Sequence, residues 1–114
     1  MQFMLLMIPK DYRNMPSDVE PDPKAVAAMT RFNESLDKAG VLKSVNGLTP
    51  PSAGARIAFD GDRATSKHGP FAGTTETVGG YWILDLKSQQ EAIDWAKKCP
   101  ASPGDVIEVR QIAG

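Results

Sequence analysis

The stretch FMLLMI, residues 3–8, is apolar at every position and is followed by Pro9 and a polar loop. This length is typical of a strand buried on both faces, and it is far short of the ~20 residues that a bilayer-spanning helix needs. A second stretch, YWILDL at residues 81–86, is apolar apart from Asp85. We interpret the two stretches as the central strands of one sheet.

Between these stretches, one segment has the spacing and the ends of an amphipathic helix. Asp22 fits the N-cap, Pro23 fits the first helical position, and Gly40 fits the left-handed residue that follows a last turn. Apolar residues recur at steps of three and four, namely Ala25, Met29, Phe32, Leu36 and Ala39. A helix over residues 23–39 is therefore predicted.

The middle of the chain predicts a strand and a hairpin. Residues 41–48 read as a strand that ends at Asn46-Gly47. Residues 56–59 and 62–67 read as the two arms of a short hairpin around Asp60-Gly61. An Asp-Gly pair accepts positive φ at both central positions of a tight turn, so we predict that these two residues form its centre.

The last third of the chain predicts a second helix and a final strand. Ser88 and Glu91 have the spacing of a capping box, and Pro100 ends the helix. The buried stripe of this helix consists of Ala92, Trp95, Ala96 and Cys99. Residues 106–112 mix apolar and charged side chains, as an edge strand does.

The order β-α-β, small hairpin, β-α-β is the split pattern of an α+β, ferredoxin-like domain, and we expect residues 1–114 to form one such domain. In that fold the first and third main strands lie at the centre of an antiparallel sheet, with both helices on one face. The other face needs a cover, because a broad exposed apolar face is a liability for a soluble monomer. A second copy of the chain is the simplest cover, so a homodimer is predicted. The alternative is an exposed sheet that binds another protein.

Composition excludes several classes of function. The net charge is −1 and no basic run of five residues occurs, so nucleic-acid binding is not expected. The N-terminus has no charged stretch and cleavage site of the kind that signals export, and we expect a cytoplasmic protein without a membrane segment. One cysteine, Cys99, cannot form an internal disulfide, and we expect it to pack rather than react.

The sequence offers no protein-ligated metal site, since it has one histidine and one cysteine. It also lacks a phosphate-binding loop, a dinucleotide fingerprint and a nucleophile elbow. We therefore expect no cofactor. A haem or a flavin stays open, because neither requires a motif of this type.

The segment HGPFAGTTE at residues 68–76, followed by GGYW at residues 79–82, resembles a family signature. The YCII-related proteins with a DGPF motif have Asp-Gly-Pro-Phe-Ala-Glu-Thr-Lys-Glu and then a Gly-Gly-aromatic strand. Further similarity lies in residues 4–6, 39–42, 47–48 and 108–110.

This resemblance implies a dimeric α+β barrel and leaves the biochemical activity unassigned. Some members are suspected enzymes, because fold relatives include isomerases and cofactor-free monooxygenases. Others are encoded beside extracytoplasmic-function sigma factors, which implies a regulatory setting.

The chain departs from the motif at three positions. His68 stands where the family has Asp, Gly73 where it has Glu, and Thr75 where it has Lys. If the Asp acts chemically in relatives, this chain has lost or changed that activity. The retained residues are interpreted as backbone and packing features, namely Gly69, Pro70, Phe71, Thr74 and Glu76.

His68 and Glu76 are the candidate catalytic residues. His68 is the one side chain whose unperturbed pKa, about 6.5, lies near neutrality, and a nearby carboxylate such as Glu76 or Glu34 would orient it for acid/base work. The alternative for His68 is a solvent-facing loop position. The alternative for Glu76 is a structural one, in which its carboxylate accepts hydrogen bonds from backbone N–H groups.

Candidate substrate contacts are Arg56, Phe71 and Tyr81. Arg56 would meet an anionic group through its planar fork, although a solvated strand arginine is the alternative. Tyr81 and Trp82 point to opposite faces of their strand, so one should meet the helices and the other the dimer interface. Core packing is the alternative for both rings.

Two functions follow from these residues. The first is a small-molecule-binding protein or a cofactor-independent acid/base enzyme that works on a small organic acid or lactone. Its site would lie in a cleft between sheet and helices. The second is a non-catalytic accessory or regulatory protein that binds another protein. The position of His68 separates them, because a solvent-facing His68 deprives the enzyme of its one group that titrates near neutrality.

Overall fold

In the computed structural model, which describes residues 1–16, 18, 20–74 and 76–114, two helices and six strands form an α+β fold. In chain order these are β1 (Gln2–Ile8), α1 (Pro23–Lys38), β2 (Leu42–Gly47), β3 (Ala55–Asp60), β4 (Arg63–His68), β5 (Gly80–Asp85), α2 (Gln89–Lys97) and β6 (Val106–Gln111). Two short 3-10 helices lie at Tyr12–Asn14 and Pro51–Ala53.

Four of the strands form one antiparallel sheet in the order β2-β5-β1-β6. The two strands predicted to be central, β1 and β5, do lie in the middle, and β6 is an edge strand as predicted. This is the strand order expected of a ferredoxin-like fold. The predicted fold class is confirmed.

One face of this sheet carries the core. Alternation along β1 and β5 brings Phe3, Leu5, Trp82 and Leu84 to the same face, and each of these side chains is buried. Both helices contribute to the same cluster, through Phe32 and Leu36 of α1 and Ala92 of α2. The rings of Phe32 and Trp82 pack edge to face with centroids 5.8 Å apart. The helices therefore cover one face, as predicted.

The opposite face, which we call the open face, is apolar at its centre. Register places Met4 beside Ile83 and Leu6 beside Tyr81, and all four side chains stay partly exposed. Val106 of β6 lies beside Ile8 and is half exposed.

The ends of both helices follow their predicted capping chemistry. A carboxylate oxygen of Asp22 accepts from the N–H of Lys24 at 3.0 Å, and Gly40 takes φ +75°. The N–H groups of Gly40 and Val41 then close the last turn on the carbonyls of Asp37 and Leu36.

At the second helix, the Ser88 hydroxyl accepts from the N–H of Glu91 at 3.2 Å. The Glu91 carboxylate reaches back to the N–H of Lys87 rather than to that of Ser88. Each helix begins where its cap predicts.

The remaining two strands, β3 and β4, form a separate two-stranded ribbon. Asp60 and Arg63 are its last paired residues, so Gly61 and Asp62 are the central residues of the turn. Gly61 takes φ +59°, which a glycine accepts without strain. The prediction that Asp60-Gly61 forms the centre was wrong by one residue. Every residue of both strands is exposed.

Candidate functional site

The segment that carries the family signature begins at a tight approach between two backbones. Gly69 directly follows β4, and its N–H donates to the carbonyl of Gly54 at 3.0 Å. A Cβ at position 69 would lie 1.8 Å from the carbonyl oxygen of Pro51, which is far inside van der Waals contact. Only glycine lets the chain pass this point. The Gly69–Pro70 peptide bond is cis.

After this point the chain makes a turn, residues 71–74, that two arginines hold from outside. The N–H of Thr74 donates to the carbonyl of Phe71 at 3.2 Å, and Gly73 takes φ +84°. A guanidinium nitrogen of Arg13 donates to the Thr74 carbonyl at 2.7 Å, and one of Arg56 donates to the Thr74 hydroxyl at 2.7 Å. The loop after β1 and the ribbon thus both attach to this turn.

The conformation of Gly73 gives a backbone reason for one departure from the family motif. A φ of +84° is favourable for glycine and strained for a glutamate. Position 75, the departure from Lys to Thr, lies outside the described residues.

Arg56 stacks on the ring of Phe71, with the guanidinium carbon 4.2 Å from the ring centroid. Phe71 is buried, so its ring is a fixed platform for that cation. The hydrogen bond to Thr74 uses one of the five N–H donors of the guanidinium. The side chain is therefore held in place while other donors stay available.

A pocket of about 310 Å³ opens beside this stack, where the loop after β2 meets the segment before β5. We call it the motif pocket. The two loops are joined by a hydrogen bond of 2.9 Å from the N–H of Leu48 to the carbonyl of Gly79. The pocket is lined by Leu48, Thr49, Pro50, Pro51, Gly54, Arg56, Phe71, Glu76, Thr77 and Val78.

Thr77 lies in the wall of this pocket. Among the described residues it is the one polar residue that is buried. It is 6% exposed, and its hydroxyl oxygen has no hydrogen-bond partner among the described residues. A buried hydroxyl without a partner costs free energy, so Thr77 is a point of local destabilisation in this wall.

Three of the five predicted site residues line the motif pocket, namely Arg56, Phe71 and Glu76. Glu76 is exposed, and within the described part of the chain its carboxylate accepts no hydrogen bond from a backbone N–H. Arg56 and Glu76 are not within ion-pair distance of each other. Arg56 and Glu76 therefore both line the pocket without forming an ion pair with each other.

His68 lies apart from this pocket. It is the last residue of β4, opposite Ala55, and its side chain is exposed. Within the described residues it forms no ion pair, and neither Glu76 nor Glu34 is hydrogen-bonded to it. The solvent-facing alternative for His68 matches this position.

Tyr81 and Trp82 point to opposite faces of β5, as predicted. Trp82 is buried against α1, where its indole N–H donates to the Asn33 side chain at 2.7 Å. Tyr81 lies on the open face, where its hydroxyl accepts from the Asn46 amide at 2.9 Å.

A cleft between sheet and helix, where the site was predicted, does exist at this end of β5. It has a volume of about 170 Å³ and is lined by Met7, Met29, Asn33, Val45, Asn46, Gly47, Gly79, Gly80, Tyr81 and Trp82. It contains none of the candidate residues except Tyr81. Most of the predicted site residues therefore lie outside the cleft in which the site was predicted.

Cys99 lies in a groove of about 380 Å³ between α2 and β6. Burial, with a smaller contribution from the nearby Asp105 carboxylate, raises the pKa of the Cys99 thiol to about 11. A thiol of that pKa is protonated at neutral pH and is a poor nucleophile. Its contact with the core agrees with a packing role.

Two classes of site find no support in the part of the chain that the structure describes. No group of three or more His, Cys, Asp or Glu side chains there is arranged to hold a metal ion. None of the helices described is long and apolar enough to cross a bilayer.

Sequence reasoning missed the apolar half of the motif pocket and its buried hydroxyl. Pro50 and Pro51 marked only the end of the preceding strand, and Thr77 and Val78 carried no signal beyond their place between Glu76 and Gly79. The Pro50-Pro51 pair indicated a rigid loop, because each ring fixes φ, but the approach of Gly69 to it is a tertiary contact.

The sheet order and the two helices on one face place the chain among small α+β proteins with a ferredoxin-like fold. Loops at one end of the sheet form the motif pocket. The family model of the YCII-related domain matches residues 1–113. A protein of Rhizobium meliloti (strain 1021) that is described as uncharacterized is 30% identical over 96 residues, which cover 82% of this chain and 77% of that protein. The chain belongs to the YCII-related family, and the predicted resemblance is confirmed.

Proposed function

We propose that this protein binds a small organic acid in the motif pocket. The observation that carries the proposal is Arg56, whose guanidinium is fixed by the Phe71 ring at 4.2 Å and by the Thr74 hydroxyl at 2.7 Å. An arginine held in this way loses little conformational freedom when a carboxylate binds to its remaining donors.

The other walls limit the ligand. The volume of about 310 Å³ is at the lower end for ligand pockets and suits a metabolite-sized molecule. Pro50, Pro51 and Val78 offer apolar contact, and Glu76 accepts a hydrogen bond from a hydroxyl or an ammonium group of the ligand. A hydroxy acid or an amino acid with a short apolar body has a group for each of these contacts. Its carboxylate binds Arg56, its hydroxyl or ammonium group binds Glu76, and its apolar part packs against the apolar residues.

The proposal is for binding rather than for acid/base catalysis. His68, the predicted acid/base residue, is exposed on the ribbon and is not part of the pocket wall. His68 and Glu76 are not hydrogen-bonded to each other among the described contacts, as a catalytic acid/base pair would be.

Thermal and chemical unfolding in the presence of small acids tests the proposal. A carboxylate at 100 times its dissociation constant should stabilise the wild type by about 2.7 kcal/mol, and the matching amide should not. Arg56→Met should abolish the effect. Arg63→Met is the matched control, because Arg63 is an exposed arginine of the same ribbon outside the pocket wall.

Two outcomes would overturn the proposal. One is a carboxylate that stabilises Arg56→Met as strongly as it does the wild type. The other is a broad set of hydroxy, keto and amino acids of which none stabilises the wild type, which would favour the accessory, protein-binding role instead.

We also propose that the protein is a homodimer through the open face. Met4, Leu6, Ile83 and Tyr81 form an apolar patch at its centre, with Val106 at one edge. A two-fold axis would bury the same patch on both copies. Sedimentation of the purified chain should give twice the monomer mass, and a monomer at every concentration tested would refute the dimer.

A further inference from the structure

The β3–β4 ribbon is built like an arm. All twelve residues of its two strands are exposed, in contrast to β1 and β5, each of which has buried residues. A two-stranded hairpin alone is marginally stable in water, because it has too little apolar surface to bury within itself. Within the chain, Arg56 attaches one side of the ribbon to Phe71 and Thr74, and the apolar side chains on the other side stay exposed.

One face of the ribbon is suited to meet such a surface. Alternation places Ala55, Ile57 and Phe59 on that face, opposite His68, Ser66 and Ala64 of the other strand. Phe59 is 79% exposed and Ile57 is 55% exposed. We call this the arm face. Arg56 lies on the other face, towards Phe71 and the motif pocket.

The dimensions of the molecule agree with an arm that leaves the main body. The radius of gyration is 15.7 Å. A compact domain of this length is expected to have about 13 Å. The chain measures 44 by 37 by 21 Å, so it is broad and thin. A second copy stacked on it would restore compactness.

We infer that the arm face packs against a second copy of this chain and extends the interface of the proposed homodimer. The inference rests on that dimer and adds a second contact surface to it. Phe59 and Ile57 are the residues that carry the contact.

Area favours a second copy as the occupant. Four strands about 4.8 Å apart and six residues long cover about 19 by 20 Å, so the open face has a footprint of roughly 380 Å². A stable interface takes about 800 Å² from each partner. The arm face adds roughly 190 Å² by the same estimate, and side-chain relief raises both values. The open face alone falls short, and the arm face brings the total towards what a dimer needs.

A second copy also meets both requirements at once. In a two-fold assembly each copy offers an open face and an arm face, so both apolar surfaces leave water in the same step. A foreign partner seated on the arm face would leave the open face uncovered.

The test is sedimentation velocity of the purified full-length chain over a wide range of concentration. The double variant Ile57→Asp, Phe59→Asp should raise the dimer dissociation constant at least about ten-fold, because it places charge in the centre of the contact. Thr65→Asp is the matched control on the opposite face of the same ribbon, and its dissociation constant should stay within about two-fold of the wild type.

A photo-crosslinking residue at position 59 gives a second readout that does not depend on how the double variant folds. It should produce a covalent dimer from purified protein, whereas the same group at position 65 should not. A dimer whose dissociation constant is unchanged by the double variant, with no crosslink from position 59, overturns the arm and leaves the sheet dimer standing. A wild type that is monomeric throughout overturns both.

Discussion

The four-stranded sheet and the β3–β4 ribbon are both antiparallel, and both place aromatic and branched apolar residues at alternate positions. In the sheet those positions meet two helices, and Phe3 and Leu5 are completely buried. In the ribbon the same alternation leads to Ile57 and Phe59, which are largely exposed. Alternation in a strand therefore predicts which side chains share a face, without telling whether the chain itself buries that face.

The two regions also differ in what specifies them. Hydrophobic burial and helix caps determine the sheet half, through contacts made mostly within the chain. The ribbon and the motif pocket depend on a glycine turn, a close approach at Gly69 and two arginines that hold one turn. The first half contains the core, and the second contains the pocket and the exposed ribbon on which the two proposals rest.

The largest expected effect comes from the same substitution made in both regions. Phe3→Ala should lower the free energy of unfolding by about 3–5 kcal/mol, because it leaves a cavity in a fully packed core. Phe59→Ala should change it by about 0.5 kcal/mol or less in the monomer, since the ring has little contact there. Urea unfolding at low protein concentration, where association adds no stability, measures both.

If Phe59→Ala proved as costly as Phe3→Ala at that concentration, the ribbon would have to pack within its own chain. The contrast between the two regions would then be lost. The inference that the arm face packs against a second copy would also be overturned.

Gly69→Ala should have the next largest effect. A Cβ there meets the Pro51 carbonyl at 1.8 Å, so the backbone must shift, at a cost of about 1–3 kcal/mol. Gly47→Ala is the control, since no atom lies within 4 Å of the added Cβ and the φ of Gly47 is not positive. It should stay within about 0.5 kcal/mol of the wild type. Equal costs for the two variants would show that the approach at Pro51 does not constrain the motif segment.

Much of the sheet half could be predicted because its signals are local. The caps at Asp22 and Ser88 need only a few neighbouring residues, and the central position of β1 follows from its unbroken apolar run. The turn of the ribbon was predicted one residue too early, because Asp60-Gly61 and Gly61-Asp62 overlap in the sequence. Strand pairing decides between the two pairs, and it is not a local property.

The candidate site was less predictable, because its geometry depends on contacts between distant segments. The path of the chain from His68 towards Glu76 depends on how Gly69 passes the carbonyl of Pro51, a residue 18 positions earlier, and that contact cannot be read from the residues around His68. Arg56 and Phe71 were chosen for their chemistry and do meet, 15 residues apart in sequence. Chemical type thus selected the candidates one by one, and tertiary contacts decided which of them share a pocket.

The smallest expected effect concerns Thr77 and has a distinctive sign. Its hydroxyl is buried and has no partner among the described residues, and such a group costs about 1–3 kcal/mol in desolvation. Thr77→Val keeps the shape and removes the polar atom, so it should raise the free energy of unfolding by up to about 1 kcal/mol. Thr65→Val, at an exposed ribbon position, should change it by less than about 0.5 kcal/mol.

The sign of the Thr77→Val effect shows whether the Thr77 hydroxyl has a hydrogen-bond partner in the free protein. A gain in stability would mean that the folded chain carries an unsatisfied hydroxyl in the wall of the motif pocket. A loss of stability would mean that the hydroxyl already has a partner, such as a bound water molecule, in the free protein. In that case every buried group of the pocket wall is satisfied, as in the core of the sheet. The two regions would then differ only in the exposure of the apolar residues of the ribbon.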